Sequence, residues 1–248
     1  MRIYNEKVDV NYDDTKKFFN NRKEVYDDKN PYVTTMYQDN NKELVEKRNE
    51  YEIRKILPKL GMNDNSIVID IACGVGRWCD AIQMPVKNYF GLDFSEGLID
   101  IARQRNISKP NCKFAISEAT EISNCILQNG WNTQFNKVLI VGILVYLNDG
   151  DIKRLLESLQ PFLHKECTIY IREPVGIQDR LSLKNFYSDE LSSEYNAIYR
   201  TQKEYEEDFW AHLELNGFKI IEKDLLFSED RQLNNRKETA QYYWILKR

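Results

Sequence analysis

The sequence contains few of the residues that build metal centres or disulfide frameworks. Only two histidines, His164 and His212, occur among the 248 residues. The cysteines are odd in number and include no Cys-x-x-Cys pair; they occupy positions 73, 79, 112, 125 and 167. Zinc sites need closely spaced Cys and His ligands, and disulfide frameworks need paired cysteines. We therefore expect no metal site, no disulfide framework and a reducing, cytoplasmic location.

Long apolar runs and blocks of like charge are also absent. No stretch approaches the roughly 20 apolar residues of a membrane-spanning helix, and the first residues include no apolar signal core. Lys and Arg total 35, Asp and Glu total 39, and the two signs alternate along the chain, giving a formal net charge of -4. Nucleic-acid binding usually requires a basic patch, because phosphate contacts dominate its affinity. We expect neither a membrane nor a nucleic acid as partner.

What the sequence does contain is an alternation of strand and helix patterns that begins near residue 66. The predicted strands are 66–71, 88–93, 113–116, 137–142 and 167–172, and the predicted helices between them are 77–83, 96–105 and 150–163. Such alternation predicts an α/β fold with a mostly parallel sheet and helices on both faces. A helix at 203–216 and late strands at 218–227 and 240–247 predict a closing antiparallel hairpin at the sheet edge.

Two regions lie outside this alternation. Residues 1–60 are polar, with helical patterns at about 12–26 and 40–57, and we expect them to form an N-terminal helical lid that covers the core. Residues 61–248 then form the main domain. Within it, about 175–202 interrupt the alternation and are expected to form a cap over the carboxyl ends of the strands, where ligands of such sheets bind.

The most informative motif is the turn after the first predicted strand. The strand Val68–Ile71 contains Asp70 near its end and leads into Ala72, Gly74 and Gly76. Glycine lacks a Cβ, so the chain can bend sharply and a ligand can approach bare backbone amides. The sequence therefore predicts a nucleotide pocket at this turn.

A second carboxylate narrows the choice of ligand. Asp93 ends the next predicted strand, 17 residues after Gly76, where it can accept hydrogen bonds from ribose hydroxyls. Asp70 would repel a diphosphate but suits the amino group and sulfonium of S-adenosylmethionine, and Cys79 stands where a dinucleotide motif has its third glycine. The residues favour S-adenosylmethionine, while a nicotinamide dinucleotide and a chance match remain alternatives.

The order Asp70-x-Ala72-x-Gly74-x-Gly76 resembles the first motif of class I S-adenosylmethionine-dependent methyltransferases, with Ala72 replacing the commoner first glycine. The resemblance covers 66–172 and extends in topology to residue 248. It implies a Rossmann-like, mostly parallel sheet with an antiparallel last strand, S-adenosylmethionine as cofactor and S-adenosylhomocysteine as product. A nicotinamide-dependent oxidoreductase and a non-catalytic S-adenosylmethionine-binding protein are the other functions that we consider.

The resemblance also implies a set of cofactor-binding residues. Arg77 would bind the cofactor carboxylate, Phe94 would contact adenine, and Glu118 with Ala119 would recognise it. The alternatives are a surface arginine, a core phenylalanine and a solvated loop. The full expected set is Arg22, Asp70, Ala72, Cys73, Gly74, Arg77, Asp93, Phe94, Glu118, Ala119 and Val141. The N-terminal aromatics Phe18, Phe19, Tyr32 and Tyr37 would extend the lid across the cofactor.

Candidate catalytic residues follow the fourth and fifth predicted strands. They are Tyr146, Arg172, Glu173, Tyr199 and Arg200. Tyr146 would face the methyl donor or pack in the core, and Glu173 would recognise substrate or accept a proton unless it only pairs with Arg172. Arg172, Arg180 and Arg200 would matter most for an acidic oxygen acceptor, and Glu173 with Tyr146 for an amine. The acids Asp179, Asp189, Glu190 and Glu194 lie among the basic residues of the cap, so the charge of the substrate stays open.

Three further patterns resemble small-molecule methyltransferases from bacterial biosynthetic clusters. These are Phe19-x-x-Arg22, Arg172-Glu173-Pro174 and the run from Tyr195 to Tyr205. The similar enzymes include those that methylate a phosphoramidate group during capsular polysaccharide modification, and amino-sugar N-methyltransferases. The resemblance implies methyl transfer to an oxygen or nitrogen atom of a small molecule, and it leaves the oligomeric state open.

Overall fold

The structure, a computed structural model, describes residues 1–36, 41–188 and 193–248. Seven of the described strands form one sheet and three form a second, smaller one. The strands are β1 (Arg2–Tyr4), β2 (Ile67–Ile71), β3 (Asn88–Asp93), β4 (Cys112–Ile116), β5 (Phe135–Val141), β6 (Leu163–Gly176), β7 (Leu181–Ser188), β8 (Ser193–Tyr199), β9 (Lys219–Leu225) and β10 (Thr239–Lys247). The helices are α1 (Tyr12–Asn21), α2 (Val33–Met36), α3 (Lys42–Ile56), α4 (Arg77–Ala81), α5 (Glu96–Arg105), α6 (Ile122–Gln128), α7 (Asp149–Leu159), α8 (Gln202–Tyr205) and α9 (Ala211–Leu215).

The large sheet has the order β4-β3-β2-β5-β6-β10-β9. β2 to β6 pair in parallel, and β10 is antiparallel to both of its neighbours. The central strands β2 and β5 are mostly apolar because helices cover both faces of the sheet. The predicted mostly parallel sheet with an antiparallel last strand is confirmed. Only β9 of the closing hairpin is an edge strand, since β10 lies inside the sheet.

The predicted cap contains regular structure that the sequence pattern did not reveal. β6 extends to Gly176, and β7 and β8 form a hairpin that pairs with β1 from the start of the chain. This small antiparallel sheet lies after the fifth strand of the large sheet, where the cap was expected. α6 also lies between two predicted strands where no helix was predicted. Tyr37, Asp189 and Glu190, which were assigned to the lid and the cap, lie outside the described residues.

The N-terminal region expected as a lid has two structural roles. β1 joins the small sheet, and α1 packs against β8. In contrast, Tyr51 and Ile56 of α3 are buried in the same apolar cluster as Val68 and Leu139 of the central strands. α3 is therefore part of the helical layer on the sheet, and the expectation that both N-terminal helices only cover the core is wrong for this helix.

Within the described ranges, no helix combines the length and the apolar character needed to cross a bilayer.

Candidate functional site

The turn between β2 and α4 has an unusual backbone. Ala72, Gly74 and Gly76 all have positive φ angles, of 60°, 55° and 83°. A residue with a side chain pays about 1–2 kcal/mol for this conformation, so Ala72 is a strained substitute for glycine. The tight bend leaves the amide of Gly74 pointing across to the end of β3.

Asp93, the last residue of β3, accepts a hydrogen bond from that amide. Its carboxylate accepts hydrogen bonds from the backbone N–H of Gly74 and of Ser95, both at 3.0 Å. Burial raises the pKa of the Asp93 carboxyl from 3.8 to about 6, while these amide donors partly offset the burial. The result is a fixed, ionisable acceptor at the carboxyl edge of the sheet.

A small cleft adjoins Asp93 at the ends of β2, β3 and β4. It brings together five of the predicted cofactor residues: Ala72, Asp93, Phe94, Glu118 and Ala119. The other wall residues are mostly aliphatic. The cleft has a volume of about 20 Å³, which is less than an adenine ring requires, so its walls would have to move apart to admit one. Lys16 of α1 forms an ion pair with Glu118 across the entrance.

A larger cavity of about 310 Å³ lies on the other side of the turn, at the ends of β5 and β6. Four of the predicted site residues line this cavity: Val141, Tyr146, Arg172 and Tyr199. The hydroxyl groups of Tyr146 and Tyr195 are 2.7 Å apart. Polar hydroxyls therefore meet an apolar wall at the end of the fourth parallel strand.

The ring of Phe19 in α1 links the two spaces. Its centroid lies 5.0 Å from that of Tyr146 and 5.9 Å from that of Phe94, both in edge-to-face geometry. Thr35 in α2 packs over the glycine turn, because a Cβ built on Gly74 would lie 2.7 Å from its methyl carbon. The start of the chain thus covers the turn between the cleft and the cavity.

Arg77 lies in a buried charge cluster centred on Glu52 of α3. A guanidinium nitrogen of Arg77 lies 3.0 Å from the Glu52 carboxylate, the Nε of Arg172 lies 3.3 Å from it, and Tyr170 donates a hydrogen bond to it. Burial acts to raise the pKa of Glu52, but the charges of Arg172 and Arg77 outweigh it and hold that pKa below its ordinary value. In this structure Arg77 is thus paired with protein rather than open to a ligand carboxylate.

Three other predicted cofactor residues contact protein groups close to the turn. Asp70 accepts a hydrogen bond from the Tyr89 hydroxyl, and burial raises the pKa of its carboxyl to about 7. The Cys73 amide donates to the Leu92 carbonyl, and its thiol is buried. Arg22 donates to the carbonyls of Val33 and Thr34, so it joins α1 to α2. These residues shape the turn and its cover.

The structure revises the expected roles of Glu173 and Arg200. Both oxygens of the buried Glu173 carboxylate accept backbone amides, from Ile143, Leu144 and Val145 at 3.0–3.1 Å. Arg200, also buried, donates to the Leu144 and Leu147 carbonyls and pairs with Asp149. Neither lines the larger cavity. They hold the loop that carries Tyr146 and are therefore positioning residues.

The predicted set did not include Glu52, Thr35 or Tyr195. Glu52 is one helical turn after Arg48 in α3, so the two side chains lie on the same face of that helix. This spacing of charged residues was the only local sign that Glu52 belongs to a buried polar face. Tyr195 belonged to the aromatic stretch assigned to the cap. No local pattern marks Thr35, because its importance comes from the distant Gly74.

The sheet order, the antiparallel strand inside it and the carboxylate beside the bare-backbone turn define the fold of class I methyltransferases. Comparison with known proteins agrees. Residues 68–166 match a family model described as a methyltransferase domain. A segment of 72 residues is 25% identical to demethylmenaquinone methyltransferase of Staphylococcus aureus (strain JH9), covering 28% of this chain and 30% of that protein. The chain thus matches less than a third of the length of this curated relative.

Solved structures resemble the chain over most of its length. Phosphoethanolamine N-methyltransferase 1 of Haemonchus contortus, in complex with phosphoethanolamine and S-adenosylhomocysteine, has a TM-score of 0.67 at 18% identity and covers 95% of this chain and 48% of that chain. Magnesium protoporphyrin IX methyltransferase from Synechocystis PCC 6803, with bound S-adenosylmethionine, has a TM-score of 0.59 at 13% identity. The match covers 96% of this chain and 93% of that chain. At these identities the likeness establishes the fold.

Proposed function

We propose that this protein is an S-adenosylmethionine-dependent methyltransferase that methylates an oxygen or nitrogen atom of a small molecule. The observation that carries the proposal is the placement of Asp93. Its buried carboxylate borders an apolar cleft and is fixed by the amide of the glycine turn. The match of residues 68–166 to a methyltransferase domain supports the same assignment.

The residues at the turn fit this donor. Asp93 would accept hydrogen bonds from the ribose hydroxyls, and Phe94 with Ala119 would contact the adenine in the cleft. The Thr35 side chain fills the space over Gly74, so a donor running along this backbone toward the larger cavity would have to displace it. The donor would supply an electrophilic methyl group on a sulfonium.

The protein's task is then to position an acceptor and to exclude water from it. Tyr146 and Tyr195 provide hydroxyls within the larger cavity, and the Phe19 ring contacts both Tyr146 and Phe94. Alignment of the two reacting groups and removal of water supply most of the acceleration for a displacement of this kind. Glu173 and Arg200 contribute by fixing the loop of Tyr146.

Nicotinamide chemistry fits this site less well. α4 contains only five residues, so its N-terminus attracts a diphosphate weakly. Asp70 lies at the same turn, and its ionised carboxylate would repel a diphosphate. A non-catalytic S-adenosylmethionine-binding protein would share the donor site and differ only in lacking methyl transfer.

For the acceptor, we propose a component of bacterial surface polysaccharide, with a phosphoramidate group as the methylated group. The support is the resemblance of Phe19-x-x-Arg22 and Arg172-Glu173-Pro174 to enzymes of that kind, together with the place of Phe19 and Arg172 around the cavity. An amino-sugar N-methyltransferase is the second candidate, and it would use the Tyr146 and Tyr195 hydroxyls near an amine.

Calorimetry tests the donor assignment. Wild-type protein should bind S-adenosylhomocysteine, and Asp93→Ala should weaken binding by roughly 30-fold or more, because about 2 kcal/mol or more of charge-assisted hydrogen bonding is lost. Asp100→Ala, which removes an exposed acid of α5, is the matched control and should bind as wild type does. Binding of NAD in preference to S-adenosylhomocysteine would contradict the proposal.

A labelling experiment tests catalysis and the acceptor. The protein is incubated with isotopically labelled S-adenosylmethionine and a fractionated small-molecule extract, and mass spectrometry identifies the product. A labelled small molecule is the expected result, and its methylated atom separates the two acceptor candidates. Label found only in macromolecules would contradict a small-molecule acceptor, and cofactor binding without any methyl transfer would favour the non-catalytic alternative.

A further inference from the structure

Two cysteine side chains meet close to the glycine turn and outside both spaces of the proposed site. Cys79 lies in α4, which begins directly after Gly76, and Cys112 is the first residue of β4. Their Sγ atoms are 3.2 Å apart, although 33 residues separate them in the sequence. Neither residue lines the cleft beside Asp93 or the larger cavity. The proposed methyl transfer therefore makes no use of this pair.

The distance between the two sulfur atoms suits a disulfide better than a metal ion. Two thiolates on one Zn²⁺ ion lie about 3.8 Å apart, because each Zn–S bond is about 2.3 Å long and the angle is tetrahedral. Both cysteines are free thiols in this structure, and a relative shift of roughly 1 Å would bring their sulfurs to bonding distance. Among the described residues, no group of three or more His, Cys, Asp or Glu side chains could hold a metal ion.

Cys112 has the properties of an attacking sulfur. It is partly exposed, because β4 is an edge strand among the described strands of the large sheet, whereas Cys79 is buried. The Cys79 thiol donates a hydrogen bond to the Cys112 sulfur, and this bond and the charge of Lys109 lower the pKa of Cys112 below its ordinary value. A lower pKa raises the fraction of thiolate, which is the form that attacks an oxidant. Cys79 is then in place to react with the oxidised sulfur.

The remaining cysteines differ from Cys112 in both respects. All five cysteines lie within the described ranges, and Cys73, Cys125 and Cys167 are buried. Burial raises the pKa of each of these three thiols, to about 12 for Cys167. They should therefore stay protonated at neutral pH and react slowly with oxidants.

We infer that Cys79 and Cys112 are a modification site that hydrogen peroxide converts to a reversible disulfide. The Cys112 thiolate attacks the peroxide: an S–O bond forms, the O–O bond breaks, and the departing hydroxide takes the proton that Cys112 released and leaves as water. The Cys79 thiol then attacks the sulfur of this sulfenic acid, so that an S–S bond forms, the S–O bond breaks, and the hydroxyl leaves as water with the Cys79 proton. Two thiols are oxidised, and one peroxide is reduced to two water molecules.

The bond would fix the short helix that follows the glycine turn. α4 has only five residues, so its own hydrogen bonds hold it weakly. A disulfide between α4 and the start of β4 closes a loop of chain and restricts the unfolded state, so oxidation should stabilise the fold. A reversible bond of this kind differs from the permanent disulfide framework that the cysteine spacing argues against.

Peptide mapping of the full chain tests the inference. The protein is treated with hydrogen peroxide in the presence of dimedone, which traps sulfenic acids, and is digested without reduction. In wild type we expect a peptide cross-linked between Cys79 and Cys112, which dithiothreitol cleaves, and little dimedone on Cys112. In Cys79→Ser the sulfenic acid has no partner thiol, so dimedone should label Cys112 at least about tenfold more than in wild type. Cys125→Ser is the matched control, because it removes a buried cysteine of α6 and should behave as wild type does.

The cross-link in wild type decides the inference, whatever the variants do. Dimedone on wild-type Cys112 without a cross-link, a disulfide that joins two chains or another pair of cysteines, or no reaction of Cys112 would each overturn it. The inference does not depend on donor binding, which the calorimetry of S-adenosylhomocysteine tests separately.

Thermal unfolding tests the effect of the bond on the fold. Oxidised wild type should melt roughly 5 °C or more above the reduced protein, and peroxide should give no such rise in Cys79→Ser. With dithiothreitol present, Cys79→Ser and wild type should melt at similar temperatures, which excludes misfolding of the variant. An equal rise in both proteins would show that the disulfide does not fix α4.

Discussion

At the scale of single residues, Asp93 combines burial with a defined hydrogen-bonding arrangement. A buried carboxylate costs free energy unless it is compensated, and the backbone amides of Gly74, Phe94 and Ser95 supply only part of the compensation, since the pKa of Asp93 stays raised. Ribose hydroxyls would supply the rest. Asp93 is thus poised to gain from ligand binding, which a structural aspartate with a full set of donors would not be.

The pKa of Asp93 gives a pH prediction. That pKa is raised from 3.8 to about 6, and only the ionised carboxylate accepts hydrogen bonds from both ribose hydroxyls. Affinity for S-adenosylhomocysteine should therefore fall as the pH drops below 6, by up to about tenfold per pH unit, in addition to any change near pH 7 where Asp70 titrates. Calorimetry between pH 5 and 8 measures this. The Asp93→Asn variant should bind weakly and lose the slope below pH 6, and a slope equal to that of wild type there would contradict the assignment.

Glu173 carries a second prediction at this scale. Replacing it with glutamine removes one acceptor and turns an amide donor toward backbone N–H groups that now lack a partner. We expect Glu173→Gln to lower the free energy of unfolding by about 1–3 kcal/mol, measured by urea denaturation. Glu166→Gln, at an exposed position of the same strand, should change it little. Equal effects of the two substitutions would show that Glu173 does not hold the loop.

At the scale of elements, the contact between α2 and the glycine turn is open to a double-mutant test. Gly74→Ala introduces backbone strain and a Cβ that would meet the Thr35 methyl carbon at 2.7 Å. We expect Gly74→Ala to lower the free energy of unfolding by more than about 2 kcal/mol. The additional change Thr35→Ser removes the methyl carbon and should restore the part of that loss that comes from the steric overlap.

Gly130 provides the control for backbone strain. It also has a positive φ, of 62°, but nothing lies within 4 Å of the position of its Cβ. Gly130→Ala should therefore cost only the conformational part, about 1–2 kcal/mol. If Gly74→Ala costs the same in the wild-type background and in the Thr35→Ser background, α2 does not pack over the turn.

Elements whose signal is local were predictable from the sequence. β2 is apolar apart from Asp70, and β5 contains the apolar run 138–141, which indicates strands buried on both faces. α6 was missed although Ile122, Cys125 and Ile126 have helical spacing, because seven residues are too few for that pattern to be distinctive. β7 and β8 pair with each other as a local hairpin, but β7 also pairs with β1, which precedes it by most of the chain, and no local pattern reports that second pairing.

The site divides in the same way. Gly74 and Asp93 could be identified because a turn and a strand end are local features. The partners of Arg77 and Glu173 could not, since Glu52 and the amides of residues 143–145 come from other elements. Charged residues at strand ends therefore mark the site, but only the fold separates those that face the cavity from those that position the backbone.

At the scale of the whole molecule, the first 36 residues cover a site built by the rest of the chain. Phe19 contacts Phe94, Lys16 pairs with Glu118, and Thr35 packs on Gly74. Hydrogen exchange should therefore slow in α1 and α2 when S-adenosylhomocysteine is added, while the edge strand β9 exchanges as before. Unchanged exchange in α1 and α2 would show that they do not cover the bound ligand.

The most direct test of the account is a crystal structure of the protein with S-adenosylhomocysteine. We predict the ribose hydroxyls on the Asp93 carboxylate, the adenine in the cleft of Ala72, Phe94 and Ala119, and the sulfur atom facing the cavity of Tyr146 and Arg172. A ligand bound elsewhere, or a ribose without contact to Asp93, would contradict the account.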